Sequence, residues 1–120
     1  MRLNKTQKSA VTALDDIKAR DVTVLDVRKL TSLTDTMIIA SAESNRQVKA
    51  LARHVRDRLK ETGATIIGVE GEEAGEWVLV DAGNIIIHIM QPAVRAHYNL
   101  EELWAPTAKR RVRSADHAAA

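Results

Sequence analysis

The stretch GEWVLVDAGNIIIHIM, residues 75–90, decides how this chain folds, because apolar and mixed positions alternate through both of its halves. Val78 and Val80 alternate with Trp77, Leu79 and Asp81; Ile85, Ile87 and Ile89 alternate with Asn84, Ile86, His88 and Met90. A period of two marks strands, here a pair joined by a tight turn. Successive side chains point to opposite faces, so only two assignments exist. Burying the aliphatic set removes Val78, Val80, Ile85, Ile87 and Ile89 from water, worth roughly 7–15 kcal/mol in total. The reverse choice would bury Asp81, Asn84 and His88, each of which needs a partner. The aliphatic set therefore faces inward. A four-residue loop, 81–84, built on a type I turn keeps both aliphatic sets together, whereas a three-residue loop with Gly83 left-handed would flip one strand; hydropathy favours the former. Trp77, Leu79, Asp81, Ile86, His88 and Met90 are then left on the other face. Unless the first helix or the C-terminal segment covers them, they form a binding surface.

Working outward, residues 6–20 place Val11, Leu14 and Ile17 on one side, an amphipathic helix. VTVLDV (22–27) and TMIIASA (36–42) have strand length and composition, with loop chemistry in RKLTSLTD between them. Ser44 and Gln47 form a capping-box pattern before a helix whose apolar stripe is Val48, Leu51, Ala52, Val55 and Leu59, and Gly63 suits its end. ATIIGV (64–69) reads as a third strand, followed by the acidic loop EGEEAGE. Pro92 opens one or two short helical pieces in AVRAHYNLEELW. The expected order, α-β-β-α-β-β-β-α, is an α+β (α/β) fold with a central βαβ crossover. It implies a mixed five-stranded sheet with helices mainly on one face.

The chain has 120 residues, enough for one domain but not two. The expected division is a domain over 1–105 and a basic tail without structure over 106–120. Of 18 Lys and Arg, 14 fall within residues 1–104, against 15 of the 16 Asp and Glu, so the net charge of +2 belongs to the tail KRRVR. A near-neutral body argues against a dedicated nucleic-acid reader. With no cysteine, disulfides and thiolate chemistry are excluded. No apolar run approaches the ~20 residues of a membrane span, and MRLNKTQKSA lacks a secretory apolar segment, so a cytoplasmic protein with no membrane contact is expected.

Few residues invite chemistry. Asp81 and His88 suggest acid–base or metal roles, but a metal needs three converging ligands and only His97 could be added. No Gly-x-Ser-x-Gly elbow or Walker pattern is present, and capping by Ser44 accounts for the strand-to-helix passage TMIIASAESNRQ. No cofactor or metal is therefore expected. Arg46, Lys49, Arg53, Arg56 and Lys60 recur at helical spacing, a basic stripe that either is solvated or meets RNA or an acidic protein. Trp77, Tyr98 and Trp104 are the only aromatic residues, and all lie between 77 and 104. Trp104 is expected to anchor the last helix. Tyr98 wants a wet edge for its hydroxyl.

The segments DVTVLDVRKLTSLTDTMIIASAESNRQVKALARHV, GVEGEEAGEWVLVDAGNIIIHIM and RAHYNLEELW together resemble the ribosomal silencing factor family, RsfS, also called Iojap or YbeB. The resemblance spans about residues 6–104. It implies a nucleotidyltransferase-like fold without the catalytic motif, hence no enzyme. It also implies binding to the large ribosomal subunit through its fourteenth ribosomal protein, steric block of small-subunit association and repression of translation under nutrient limitation or in stationary phase. The family's contact residues correspond to Trp77 and Tyr98, and Leu79, Asp81, Ile86, His88 and Met90 follow by geometry as further partner-binding candidates. Asn84 stands where the family often has aspartate, and Pro92-Ala93 replace an acidic pair, which puts individual salt bridges in doubt. A secondary contact with ribosomal RNA and a homodimer of the free protein, pairing through the open face, remain open readings. So do an RNA-binding module and a residual nucleotidyltransferase-type enzyme.

Overall fold

A computed structural model of the chain describes residues 2–103 and, in backbone only, 108–112. The elements follow in the order α1 (Lys5–Asp16), β1 (Arg20–Asp26), β2 (Thr36–Ser41), α2 (Asn45–Glu61), β3 (Gly68–Glu70), β4 (Trp77–Asp81), β5 (Ile85–Met90), α3 (Pro92–Tyr98), α4 (Leu100–Leu103) and β6 (Ala108–Val112). The strands form one sheet in the order β3-β4-β5-β2-β1-β6. Only β2 and β5 pair in parallel; the other neighbours are antiparallel. Strands β2 and β3 run the same way, linked by α2, so the crossover expected from the sequence is present with β4 and β5 inserted between its strands.

The expected α+β sheet with its two long helices on one face is present. Against α1 and α2 the sheet buries Val24, Ile38, Ala40, Val78, Val80, Ile85, Ile87 and Ile89, together with Val11, Leu14, Leu51 and Val55 from the helices. All five hairpin aliphatics are at most 2% exposed, so the face assignment made from alternation holds. The opposite face has a smaller core of Leu25, Val27, Met37, Ile39 and Met90, on which Val94 of α3 and Leu100 of α4 pack.

Several details differ from the sequence reading. Helix α1 ends at Asp16, four residues early, because Lys18 (φ 58°) turns left-handed; its start is a capping box of Asn4 and Gln7 that went unread. Strand β3 is limited to Gly68–Glu70, since only these three residues reach register with β4. At α2, Ser44 caps the Gln47 N–H, but the Gln47 side chain accepts from the Glu43 N–H and donates to the Ile17 carbonyl, tying α2 to the end of α1. The four-residue hairpin loop is replaced by a tighter one: Ala82 opposes Ile85, leaving Gly83 and Asn84 at the tip. Gly83 takes φ 83°, and Asn84 donates to the Ala82 carbonyl in a γ-type turn. Both loop lengths are even, so the faces are unchanged while the register moves by two residues. The expected structureless tail fails over 108–112, where β6 pairs antiparallel with β1, adding a sixth strand to the five foreseen. Trp104 and its anchoring role lie outside the described residues.

Candidate docking surface

Trp77 begins β4 and His88 lies on β5, and both project from the face away from α1 and α2. The register pairs Trp77 with Met90 and Leu79 with His88, so the indole sits diagonally across from the imidazole. The Trp77 Nε1–H donates to His88 Nδ1 at 2.9 Å, with ring centroids 5.8 Å apart. An indole N–H can only donate, so His88 accepts at Nδ1 and the neutral ring carries its proton on Nε2. His88 is 6% exposed, and burial pushes its imidazole down from the ordinary 6.5 to about 4. At neutral pH it is an uncharged acceptor that fixes the rotamer of Trp77.

Tyr98 ends α3 and packs against the indole, centroid to centroid 4.9 Å at a 51° tilt. His97 packs edge-on against Tyr98 at 5.0 Å. Tyr98 remains 58% exposed, as does Leu103 at 68%. The three rings Trp77, Tyr98 and His97 thus form a row running from the sheet to the surface, with His88 as its buried foot. A row of this type suits an interface: aromatic area is presented with little rotamer freedom to lose.

Helix α3 is held in place by Arg95. Its Nε donates to Glu101 Oε1 (2.8 Å), Nη1 to the Asp21 carbonyl (2.7 Å) and Ser41 Oγ (2.9 Å), and Nη2 to Thr23 Oγ1 (3.3 Å). These bonds fasten α3 to both β1 and β2 and join it to α4. Pro92 starts the helix at its first turn, and Asn99 (φ 48°) ends it in a left-handed cap whose N–H bonds the Arg95 carbonyl. An open cleft of about 310 Å³ beside α3 is lined by Asp21, Ser41, Arg95 and Glu101 among others. Its cation is already committed to these partners. Arg95 was not singled out from the sequence, because its three distant partners become visible only through strand pairing.

The expected site residues divide. Trp77, Leu79, Asp81 and Ile86 are half-buried and Tyr98 exposed on the expected face. Two expected contact residues are corrected. Met90 is 0% exposed, because the last residue of β5 runs beneath α3 and α4 and joins the smaller core. His88 is buried at the sheet centre between Leu79 and Ile39, so it can position a contact residue but not make the contact. Asp81 and His88 do not form a dyad: Asp81 Oδ1 accepts from the Gly83 N–H at 2.9 Å, and His88 Nδ1 is occupied by the indole. Among the described residues, no group of three or more His, Cys, Asp or Glu could hold a metal, and no helix is long and apolar enough to cross a membrane.

The whole chain, residues 1–120, matches the family model described as "Ribosomal silencing factor during starvation". A ribosomal silencing factor RsfS of Chromobacterium violaceum is 55% identical over 104 residues, covering 87% of this chain and 85% of its own length. One from Zymomonas mobilis is 42% identical over 97 residues, covering 81% of this chain and 73% of its own. A crystal structure of a Chromobacterium violaceum protein superposes with a TM-score of 0.84 at 54% identity, covering 88% of each chain.

Proposed function

The chain belongs to the RsfS family of ribosomal silencing factors, and from that premise we propose that it docks on the fourteenth ribosomal protein of the large subunit through Trp77 and Tyr98. The row of rings is the observation that carries this reading. Tyr98 keeps most of its surface in solvent while its ring is fixed against Trp77 at 4.9 Å. Leu79, Ile86 and Asp81 extend the contact along β4 and β5, with Leu79 and Ile86 supplying apolar area and Asp81 a carboxylate at the rim. His88 and Met90, placed in the contact by sequence geometry, act from beneath it.

Docking of this kind silences by occupancy. A body whose Cα radius of gyration is 12.9 Å, seated on the subunit-joining face, excludes the small subunit from the same surface, and no bond need be made or broken. The action is regulatory and non-enzymatic, expected in the cytoplasm when nutrients are scarce. Interface energy concentrates in a few desolvated aromatic side chains, so truncating Trp77 or Tyr98 is expected to cost about 2–4 kcal/mol of binding each. Pelleting purified protein with isolated large and small subunits tests this. Wild type should pellet with large subunits only, and Trp77→Ala and Tyr98→Ala should stay in the supernatant while melting cooperatively. Pelleting of both variants as well as wild type would remove the proposed site.

A further inference from the structure

Helix α2 presents a second surface, on the opposite side of the sheet from the aromatic row. Its apolar stripe packs on the core under α1 and α2, and its two flanks are treated differently. On the flank beside α1 the basic side chains have acidic partners: His54 Nε2 and an Arg58 Nη lie 2.9 and 3.1 Å from Asp16, and Arg58 also approaches Glu61 at 3.7 Å. The other flank carries Arg46, Lys49, Arg53, Arg56 and Lys60. Only Arg56 has a carboxylate there, its neighbour Asp57 at 3.1 Å; among the described residues the other four form no ion pair. The acidic loop approaches the N-terminal end of this flank, where Gly75 lies beside Asn45 and the Lys49 side chain.

The stripe advances by three and four residues in turn, so its cations rise by about 4.5 and 6 Å over a length of ~21 Å. We propose that this flank of α2 binds the phosphate backbone of double-helical RNA, without regard to base sequence. Five cations at helical spacing along one flank, four of them without an ion pair among the described residues, match a repeating anionic backbone. The basic flank of the helix NRQVKALARHVRDRLKE bears no Trp, Tyr or Phe, so it lacks the aromatic platform on which single strands stack and the aromatic anchor of a protein interface. Double-helical RNA is read through backbone and shape, for which neither is required. This proposal does not rest on the docking of Trp77 and Tyr98, from which it is separated by the sheet.

The test is fluorescence anisotropy of the full chain with a blunt 16-base-pair RNA duplex of arbitrary sequence between 50 and 200 mM KCl. Four phosphates neutralised give a slope of about −3.6 in log K against log salt, a loss of about 150-fold across that range. The variant R46Q/K49Q/R53Q/K60Q should lose that slope and bind at least tenfold more weakly at 50 mM. The charge-keeping R46K/R53K should bind as wild type, and K109Q/R110Q/R111Q/R113Q, which neutralises the C-terminal basic run, should keep a slope of about −3 or steeper. Four results would each overturn the proposal: no RNA binding at 50 mM, unchanged binding by the glutamine variant, loss of binding confined to the C-terminal variant, or tighter binding of polyglutamate than of the duplex. Pelleting with large subunits reads the aromatic site independently of all four.

Discussion

Replacing His88 by Gln should change how stability depends on pH, by an amount the burial of the imidazole sets. In the folded chain the ring is 6% exposed, accepts the Trp77 N–H at Nδ1 and is held down to about 4, against about 6.5 in the unfolded chain. Between these values the unfolded state takes up a proton that the folded state refuses, so stability falls as pH falls through that window. From pH 7.5 to pH 5 the loss attributable to this one residue is about 2 kcal/mol, approaching about 3 kcal/mol below pH 4. A glutamine can still accept from the indole through Oε1 but does not titrate. Urea unfolding followed by far-ultraviolet circular dichroism at pH 7.5 and pH 5 measures the difference: wild type should lose about 2 kcal/mol more than His88→Gln. Equal losses, within 0.5 kcal/mol, would refute the reasoning. So would an imidazole that titrates near 6.5 by NMR, because its ring would then be solvated and the indole bond absent. Protonation also turns Nδ1 into a donor facing a donor, so Trp77 should become mobile in the same acidic range.

Other expectations concern the row of rings and its supports. Tyr98→Ala, at an exposed position, should leave the melting temperature within a few degrees while weakening large-subunit binding roughly 30- to 900-fold, as 2–4 kcal/mol requires; differential scanning fluorimetry and pelleting titrations read the two quantities. Arg95→Met removes the Arg95–Glu101 ion pair and frees α3 from β1 and β2; a cost of about 2–4 kcal/mol and early hydrogen exchange of the α3 amides should follow. Gly71→Ala meets both a left-handed φ of 87° and the Trp77 carbonyl, 2.1 Å from the added Cβ, so the 71–76 loop must shift; more than about 2 kcal/mol should be lost in urea unfolding.

How far the sequence could be read depended on whether a signal was local. Alternation in 75–90 was enough to choose the buried face, because five aliphatic groups outweigh any local preference of Asp81 or Asn84. The stripe of α2 and the cap at Ser44 were equally plain. Loop length was not, since two- and four-residue turns both preserve the faces and differ only in register, which the Ala82–Ile85 pairing decides. The ends of α1 and β3 depended on Lys18 going left-handed and on which residues meet β4. β6 was missed because the basic, nearly apolar-free segment carries no strand pattern of its own. At the candidate site the family resemblance picked out Trp77 and Tyr98, and their stacking was then found in the structure. The burial of His88 and Met90 came from elements above and beside them, which no alternation rule contains.

The most direct test is a sucrose gradient of separated subunits at a magnesium concentration that permits joining, run with and without stoichiometric protein. Wild type should reduce the joined-ribosome peak and comigrate with the large subunit, and Tyr98→Ala should do neither. An undiminished peak at protein concentrations that saturate the large subunit would contradict silencing by steric exclusion; a peak lowered equally by Tyr98→Ala would contradict the site.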